Sequence, residues 1–329
     1  MDETDTILDI RNLTVEFVTD EGRLTAVDDI SLDVRSGEVL GLIGESGCGK
    51  SVTALSIMRL IPMPPGHIGG GHILFRGQDL LGMSGADMRR IRGAAISMIF
   101  QEPMTALSPL HRIGRQLMEC LQLHRETGTR AAEEESRMWL ARVGIPDPDA
   151  RMRCYPHELS GGMRQRVMIA MALMLHPALV IADEPTTALD VTVQAQIFDC
   201  MRRMRERTTA IMLITHDMGV IRAMCDRVAV MYAGRIVETG MADDIFSRPL
   251  HPYTRALLRS VPSLDGPRTM LQAIPGQVPS PLRYPPGCRF SPRCPLADDR
   301  CRGENPGFAM AGKAQGAACF RMGEGPVMP

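Results

Sequence analysis

Residues 37–60 read GEVLGLIGESGCGKSVTALSIMRL. The first eight, GEVLGLIG, are short and almost wholly apolar, which predicts a buried strand. An apolar-periodic helix is predicted from Lys50 to Leu60, stopped by Pro62, Pro64 and Pro65. Between them, Gly44-Glu45-Ser46-Gly47-Cys48-Gly49-Lys50-Ser51 fits G-x-x-x-x-G-K-[ST]. A strand before the loop and a helix after it are the context that pattern requires. Glycines let successive backbone N–H groups turn inward around phosphate oxygens, and the helix N-terminus adds partial positive charge. Lys50 reaches the β- and γ-phosphates, the Ser51 hydroxyl can ligate Mg²⁺, and Val52 follows on the first helical turn. Only Lys50 and Lys313 are lysines among 37 basic residues. A compact ammonium suits a crowded phosphate site better than a planar guanidinium. Cys48 is read as a small loop filler.

Working outward, 7–18 alternates like a strand and 28–34 is a second. Residues 69–80 read as a hairpin and 94–101 as another buried strand. Residues 111–143 read as mainly helical, PDPDA (146–150) as a break, and 160–175 as a helix. ALVIADEP (178–185) and AIMLITHD (210–217) are apolar strands that end in acidic or His-bearing turns. Residues 192–207 read as a helix, and 227–232 pairs with 235–240. Strand–helix alternation of this kind predicts an α/β sheet with ligands at the carboxyl ends of its strands. A helical insert at about 102–165 interrupts it. Past about residue 262, Pro and Gly rise and periodicity fades, so 262–329 is expected to be irregular.

Composition removes several classes. Basic and acidic residues number 37 and 38, a net charge of −1, so a basic footprint for nucleic acid is absent. The longest apolar run is Val167–Leu175, far short of the roughly 20 residues a membrane-spanning helix needs. The acidic N-terminus lacks an apolar signal core, and secretion is not expected. Nine cysteines, an odd number, argue for free thiols or metal ligands over a disulfide framework.

The strand LVIADE (179–184) delivers two adjacent carboxylates. Asp183 would hold Mg²⁺, and Glu184 would act as general base on the attacking water. Gln101 could sense Mg²⁺ and the γ-phosphate, and His216 could contact the γ-phosphate. Leu159-Ser160-Gly161-Gly162-Met163-Arg164-Gln165 forms a second phosphate-binding helix start: Ser160 is a good N-cap, and the glycines bare the first amides.

With these motifs in this order, the sequence from 7 to about 245 resembles the ATP-binding cassette family. The resemblance implies a P-loop NTPase (RecA-like) core with an antiparallel β subdomain and a helical signature subdomain. It makes Gln101 the Q-loop, LSGGMRQ the signature, Ala188-Leu189-Asp190 the D-loop and His216 the switch histidine. It implies two cassettes clamping two ATP molecules head to tail, Ser160 and Gly162 of one completing the site built by Lys50 and Glu184 of the other. The family stacks adenine on an aromatic residue before the second strand. Phe17 is the nearest candidate here, with Arg23 as a substitute.

The run DIFSRPLHPYTRALLRSVP (244–262) and the segment YPPGCRFSPRCPLADDRC (284–301) are similar to the C-terminal extension of peptide and nickel importer ATPases. His251 is read as a helix-start residue. Four cysteines, Cys288, Cys294, Cys301 and Cys319, fall within the last 42 residues. They could complete a Zn²⁺ site, hold a [4Fe–4S] cluster or remain thiols. Resemblance to the dipeptide branch favours the cluster. Cys120, Cys154, Cys200 and Cys225 are read as structural. The chain is thus expected to comprise a cassette at 1–245 and an extension at 246–329.

The resemblance implies an ATPase energising import of dipeptides or oligopeptides; nickel, glutathione or another small solute is the alternative cargo. The expected partners are a second cassette ATPase (a heterodimer, or else a homodimer), two transmembrane permease subunits and an external solute-binding protein. The expected location is peripheral, on the cytoplasmic face of the inner membrane. The segment 101–110 is the candidate contact with the membrane subunits. A cassette acting on nucleic acid or the ribosome is disfavoured by the neutral charge and the single cassette.

Overall fold

In chain order the elements are β1 (Thr6–Thr19), β2 (Gly22–Arg35), β3 (Val39–Ile43), α1 (Lys50–Ile57), β4 (Gly66–Phe75), β5 (Gln78–Asp79), α2 (Gly85–Ile91) and β6 (Ile96–Ile99). There follow α3 (Ile113–His124), α4 (Thr129–Arg142), α5 (Pro148–Arg153), α6 (Gly161–Leu173), β7 (Leu179–Asp183), α7 (Val191–Met204) and β8 (Ala210–Ile214). Last come α8 (Met218–Met224), β9 (Arg227–Tyr232), β10 (Arg235–Met241), α9 (Ala242–Ser247), α10 (Pro252–Arg259), α11 (Asp299–Gly303), β11 (Ala309–Met310) and β12 (Gly316–Ala317). The computed structural model describes residues 5–102, 106–186, 191–260, 273–312 and 314–324, with the backbone alone for 191 and 192. The chain divides into two compact units, Met1–Leu81 with Leu213–Pro329, and Gly82–Met212.

In the first unit, an antiparallel sheet runs in the order β2-β1-β4-β5. Its long strands form because apolar side chains recur on one face: Leu8, Ile10, Leu13 and Val15 of β1 are fully buried. A second run of strands is ordered β11-β12-β10-β9-β3. The β3–β9 pair is parallel and β9–β10 antiparallel. All five residues of β3 are buried, as the continuous apolar pattern requires.

In the second unit, β6 pairs in parallel with β7, whose five residues are all buried. Helix α3 packs on α4 and α5, and α6 packs on β6. The stretch 146–150, expected as a break, instead opens α5. The Asp147 side chain accepts the Ala150 N–H at 3.4 Å, and Pro148 stands at the first helical position, where its missing N–H costs nothing.

The tail is more regular than its composition suggests. Strand β12 adds to the edge of β10 in the register Glu238↔Ala317, and β11 pairs with β12. The short pairs cover strand-edge groups that would otherwise stay open. Glu238 of β10 is fully buried. Its carboxylate accepts the N–H groups of Leu250 at 2.7 Å and His251 at 2.9 Å, and the Gln315 amide at 3.0 Å. Burial pushes its pKa up and those donors pull it back. His251 then caps α10, its Nδ1 accepting the Tyr253 N–H at 3.0 Å.

His251 is buried, and desolvation, aided by the nearby Arg255 charge, holds its pKa down at about 3 against an ordinary 6.5. The unfolded chain therefore binds the proton first, and stability present above pH 6.5 is lost as the pH falls toward 3. Asn can serve as the same cap without titrating. Denaturant unfolding should show the wild type losing up to about 1.4 kcal/mol per pH unit more than His251→Asn across this window. Parallel pH profiles would contradict the assignment.

Candidate active site

The first unit carries the phosphate loop. Gly44 (φ 153°), Gly47 (φ 77°) and Gly49 (φ 108°) take backbone conformations that side chains resist. At Gly44 a Cβ would meet the Met231 carbonyl oxygen at 2.1 Å, and at Gly49 the Ala26 carbonyl oxygen at 2.5 Å. The loop is pressed against neighbouring backbone and admits no larger residue at either position. Lys50, 6% exposed, opens α1. Its ammonium donates to the carbonyls of Gly44 at 2.8 Å and Glu45 at 3.0 Å and to Cys48 Sγ at 3.6 Å. Ser46, Gly47 and Ser51 are exposed, while Cys48 and Gly49 are buried and Val52 is half-buried. Burial raises the Cys48 thiol pKa, against the pull of Lys50. Cys48 is thus a packed, protonated filler.

The loop is also held by residues that its own pattern does not announce. The Glu45 N–H donates to the Tyr253 hydroxyl at 2.8 Å. Arg293 grips the Glu45 carboxylate at 2.7 and 3.0 Å. Tyr253 belongs to the HPYT stretch and was legible only as part of a helix start. Arg293 is one of 35 arginines (37 basic residues less two lysines) and gave no local signal.

In the second unit, the parallel register explains which side chains meet. Ile99 of β6 lies opposite Ala182 of β7. Two residues on, Gln101 Nε2 donates to Glu184 Oε2 at 3.0 Å. Glu184 takes φ 44°, a left-handed conformation that costs a non-glycine residue about 1–2 kcal/mol. Asp183 ends β7 and is 5% exposed, whereas Glu184 beside it is half-buried. The two adjacent carboxylates thus differ in access, one a buried strand end and the other turned toward the Gln101 amide. The hard oxygens of Asp183 and Gln101 suit Mg²⁺.

The signature segment lies in the same unit as Gln101. Ser160 caps α6, its hydroxyl accepting the Met163 N–H at 3.4 Å. Ser160 and Gly161 are exposed and Gly162 half-exposed, so a bare helix start faces outward. A Cβ on Gly162 would touch Val193 at 3.0 Å.

His216, exposed, follows β8 in the turn before α8, which Asp217 caps. Phe17 is half-buried on β1, opposite Leu24 and Gly66. Arg23, the alternative base contact, pairs with Glu16 at 3.0 Å. Asp190, with Ala188 and Leu189, lies outside the described residues, as do 103–105 of the candidate membrane-subunit contact.

Cys288, Cys294, Cys301 and Cys319, sequence neighbours only loosely, line one small cavity of about 10 Å³ in the first unit. All four are free thiols. Burial pushes each pKa up, and for Cys288, Cys294 and Cys319 the neighbouring sulfurs push further, Cys319 to about 11. Among the described residues, no group of three or more His, Cys, Asp or Glu side chains is spaced to hold a metal ion. No helix among them is long and apolar enough to cross a membrane. Cys200 and Cys225 are buried, with raised pKa values, Cys225 at about 12, as inert core thiols have.

Two family models match the chain: "ABC transporter" over residues 27–187 and "Oligopeptide/dipeptide transporter, C-terminal region" over 237–301. The chain is 50% identical over 317 residues to the "Oligopeptide transport ATP-binding protein OppD" of Salmonella typhimurium, covering 96% of this chain and 93% of that one. It is 48% identical over 315 residues to the "Dipeptide transport ATP-binding protein DppD" of Bacillus subtilis, covering 95% and 94%. In structure it is similar to the ATP-binding cassette MJ0796, solved as a dimer with ADP and Pi: TM-score 0.64, 23% identity, 71% of this chain and 98% of that one. It is also similar to cbiO1 of Clostridium perfringens, with TM-score 0.61 and 26% identity over 74% and 91%. The fold is that of the ABC cassette, mixed α/β with an antiparallel β subdomain.

Lys50→Ala removes the ammonium that ties the loop together and is expected to meet the anion. Titration with a fluorescent ATP analogue should show affinity reduced at least about tenfold, the value of one charge-assisted contact. Unchanged affinity would displace the nucleotide from this loop.

Proposed function

Since the chain belongs to the ABC transporter ATPases of the oligopeptide/dipeptide branch, we propose that it hydrolyses ATP to energise the import of short peptides through separate membrane subunits. The observation that carries the peptide reading is the match of 237–301 to the C-terminal region of oligopeptide/dipeptide transporters. Cassette motifs alone leave cargo open; this region narrows it to the peptide branch, with nickel, glutathione or another small solute as the alternative. Residues 1–245 act as the cassette and 246–329 as the extension.

Each unit supplies a part of the chemistry. In the first, the loop amides, Lys50 and His216 serve the phosphates. In the second, Glu184 takes a proton from the attacking water, and the hydrogen bond from Gln101 fixes the direction of its carboxylate. Because Gln101 turns its Nε2 to Glu184, its Oε1 is the atom with cation-binding chemistry. Ser51, Gln101 and Asp183 would hold Mg²⁺, which screens the charge of the phosphate oxygens. Phe17 is the aromatic nearest in sequence to the expected base contact. Ser160, Gly161, Gly162 and Asp190 would serve the nucleotide of a second cassette, and the outward exposure of the α6 start supports this.

The partners are a sibling ATPase, preferred over a second copy, two permeases and an external solute-binding protein. The location is peripheral, on the cytoplasmic face of the membrane. Cys288, Cys294, Cys301 and Cys319 would hold a [4Fe–4S] cluster, with Zn²⁺ as the alternative. Soft sulfur is the donor chemistry such a centre takes and the four thiols line one cavity, yet at about 10 Å³ they are not spaced for a metal as they stand, so binding would have to spread and deprotonate them. Its role would be to staple a Pro- and Gly-rich segment.

Glu184→Gln keeps the shape and the Gln101 contact while removing the base. Hydrolysis should fall about 10²- to 10⁴-fold with ATP binding retained; a wild-type rate would end the base assignment. Anaerobically purified protein should show visible charge-transfer absorption with iron and sulfide in equal amounts. Stoichiometric zinc without that absorption would exchange one centre for the other.

A further inference from the structure

Glu45 places a carboxylate in a loop that receives a polyphosphate. A carboxylate there repels the anion the loop exists to bind. The structure shows what answers it. Arg293, from the C-terminal segment, is 3% exposed in its side chain and sets its guanidinium against both Glu45 oxygens, Nη1 to Oε2 at 2.7 Å and Nη2 to Oε1 at 3.0 Å. The fork is itself locked. Nε donates to the Pro275 carbonyl at 2.9 Å, Nη2 to Ile274 at 3.2 Å and Nη1 to the Tyr232 hydroxyl at 3.3 Å. Although burial opposes the Arg293 charge, the hydrogen bonds to Glu45 and Tyr232 outweigh it and hold its pKa above the ordinary value.

The same residue is fixed from two further directions. Tyr253 accepts the Glu45 N–H at 2.8 Å, and the Glu45 carbonyl accepts from Lys50 at 3.0 Å. Tyr232, Tyr253 and Phe290 pack as an aromatic cluster at centroid distances of 4.5, 5.2 and 5.4 Å. Phe290 and Arg293 are joined by a backbone hydrogen bond of 2.9 Å, so cluster and fork come from one turn of the Cys-bearing segment.

We propose that Arg293 is a positioning residue of the nucleotide site: it neutralises Glu45 and holds the loop, so that ATP affinity depends on the docked C-terminal segment. The proposal rests on the phosphate loop being the nucleotide site. A bare carboxylate near the triphosphate repels it through a medium of intermediate dielectric, and the expected weakening is about tenfold.

The test uses the full-length chain, a fluorescent ATP analogue with Mg²⁺, and steady-state ATPase assays. Arg293→Gln should raise the Kd and the KM for ATP about tenfold with kcat changed less than about twofold. Arg293→Lys, which keeps the charge but not the fork, should lie between this variant and wild type. Adding Glu45→Gln to Arg293→Gln should recover most of the lost affinity, because the repelling charge is gone. A brace without an electrostatic role would show no such recovery, and that result overturns the proposal. So does wild-type affinity in Arg293→Gln. Should Arg293→Gln not fold, Arg293→Met, also neutral and of similar length, with and without Glu45→Gln gives the same comparison. Lys50→Ala run alongside separates the two levels: retained ATP binding there sinks the site itself, whereas loss there with wild-type affinity in Arg293→Gln sinks only the proposal.

Discussion

The buried ammonium of Lys50 is the interaction on which the site depends. Taking a charge out of water costs several kcal/mol unless polar atoms surround it. Here the carbonyls of Gly44 and Glu45 and the sulfur of Cys48 do so, and all three belong to the loop itself. The ammonium therefore dictates the loop's curvature, and the curvature dictates where glycine is obligatory. Gly44 and Gly49 lie where a Cβ would strike backbone carbonyls of β9 and β2. Carbonyls satisfy hydrogen bonds without neutralising charge, so the loop retains an appetite for anions. A strand, a turn of fixed hand and a helix start together have the donor geometry that an anion requires.

On the other unit, a sheet register does the equivalent work. A parallel pair places residues of equal offset side by side, and Ile99 opposite Ala182 leaves Gln101 beside Glu184. The turn that follows β7 forces Glu184 into a left-handed conformation, strain that neighbouring structure sustains. That geometry separates two chemically identical side chains. Asp183 stays in the strand end and Glu184 swings toward the amide, so adjacent carboxylates can serve metal binding and proton transfer.

Much of this was legible because it is periodic or local. The five-residue apolar strands β3 and β7, the glycine loop and the Ser160 cap each declare themselves within ten residues. The α5 start was legible too, had Asp147 and Pro148 been weighed as cap and first residue rather than as breakers. Two features were beyond local reading. The tail's strands are two residues long and exist only because β10 offers an edge. The Arg293–Glu45 pair spans 248 positions in a chain dense in arginine, and nothing in either neighbourhood marks its partner. Long-range polar pairing follows from how apolar surfaces pack across the whole fold.

Those packing decisions also explain why a Pro- and Gly-rich segment belongs to the core of the first unit. Such a segment cannot bury enough apolar surface to order itself. It borrows order at three places: Glu238 receives the N–H groups that open α10, β12 extends β10, and the aromatic cluster takes Phe290 against Tyr232 and Tyr253. The third of these lies on elements that also support the phosphate loop. Tyr232 ends the strand that pairs with β3, and Tyr253 reaches Glu45 directly. Four thiols then close on one cavity beside Phe290. The contacts form one continuous path, from sulfur pocket to aromatic cluster to Glu45 to Lys50. Whatever free energy the docked tail contributes to ordering the loop, the ordered loop returns to the docking of the tail, because a coupling free energy is reciprocal.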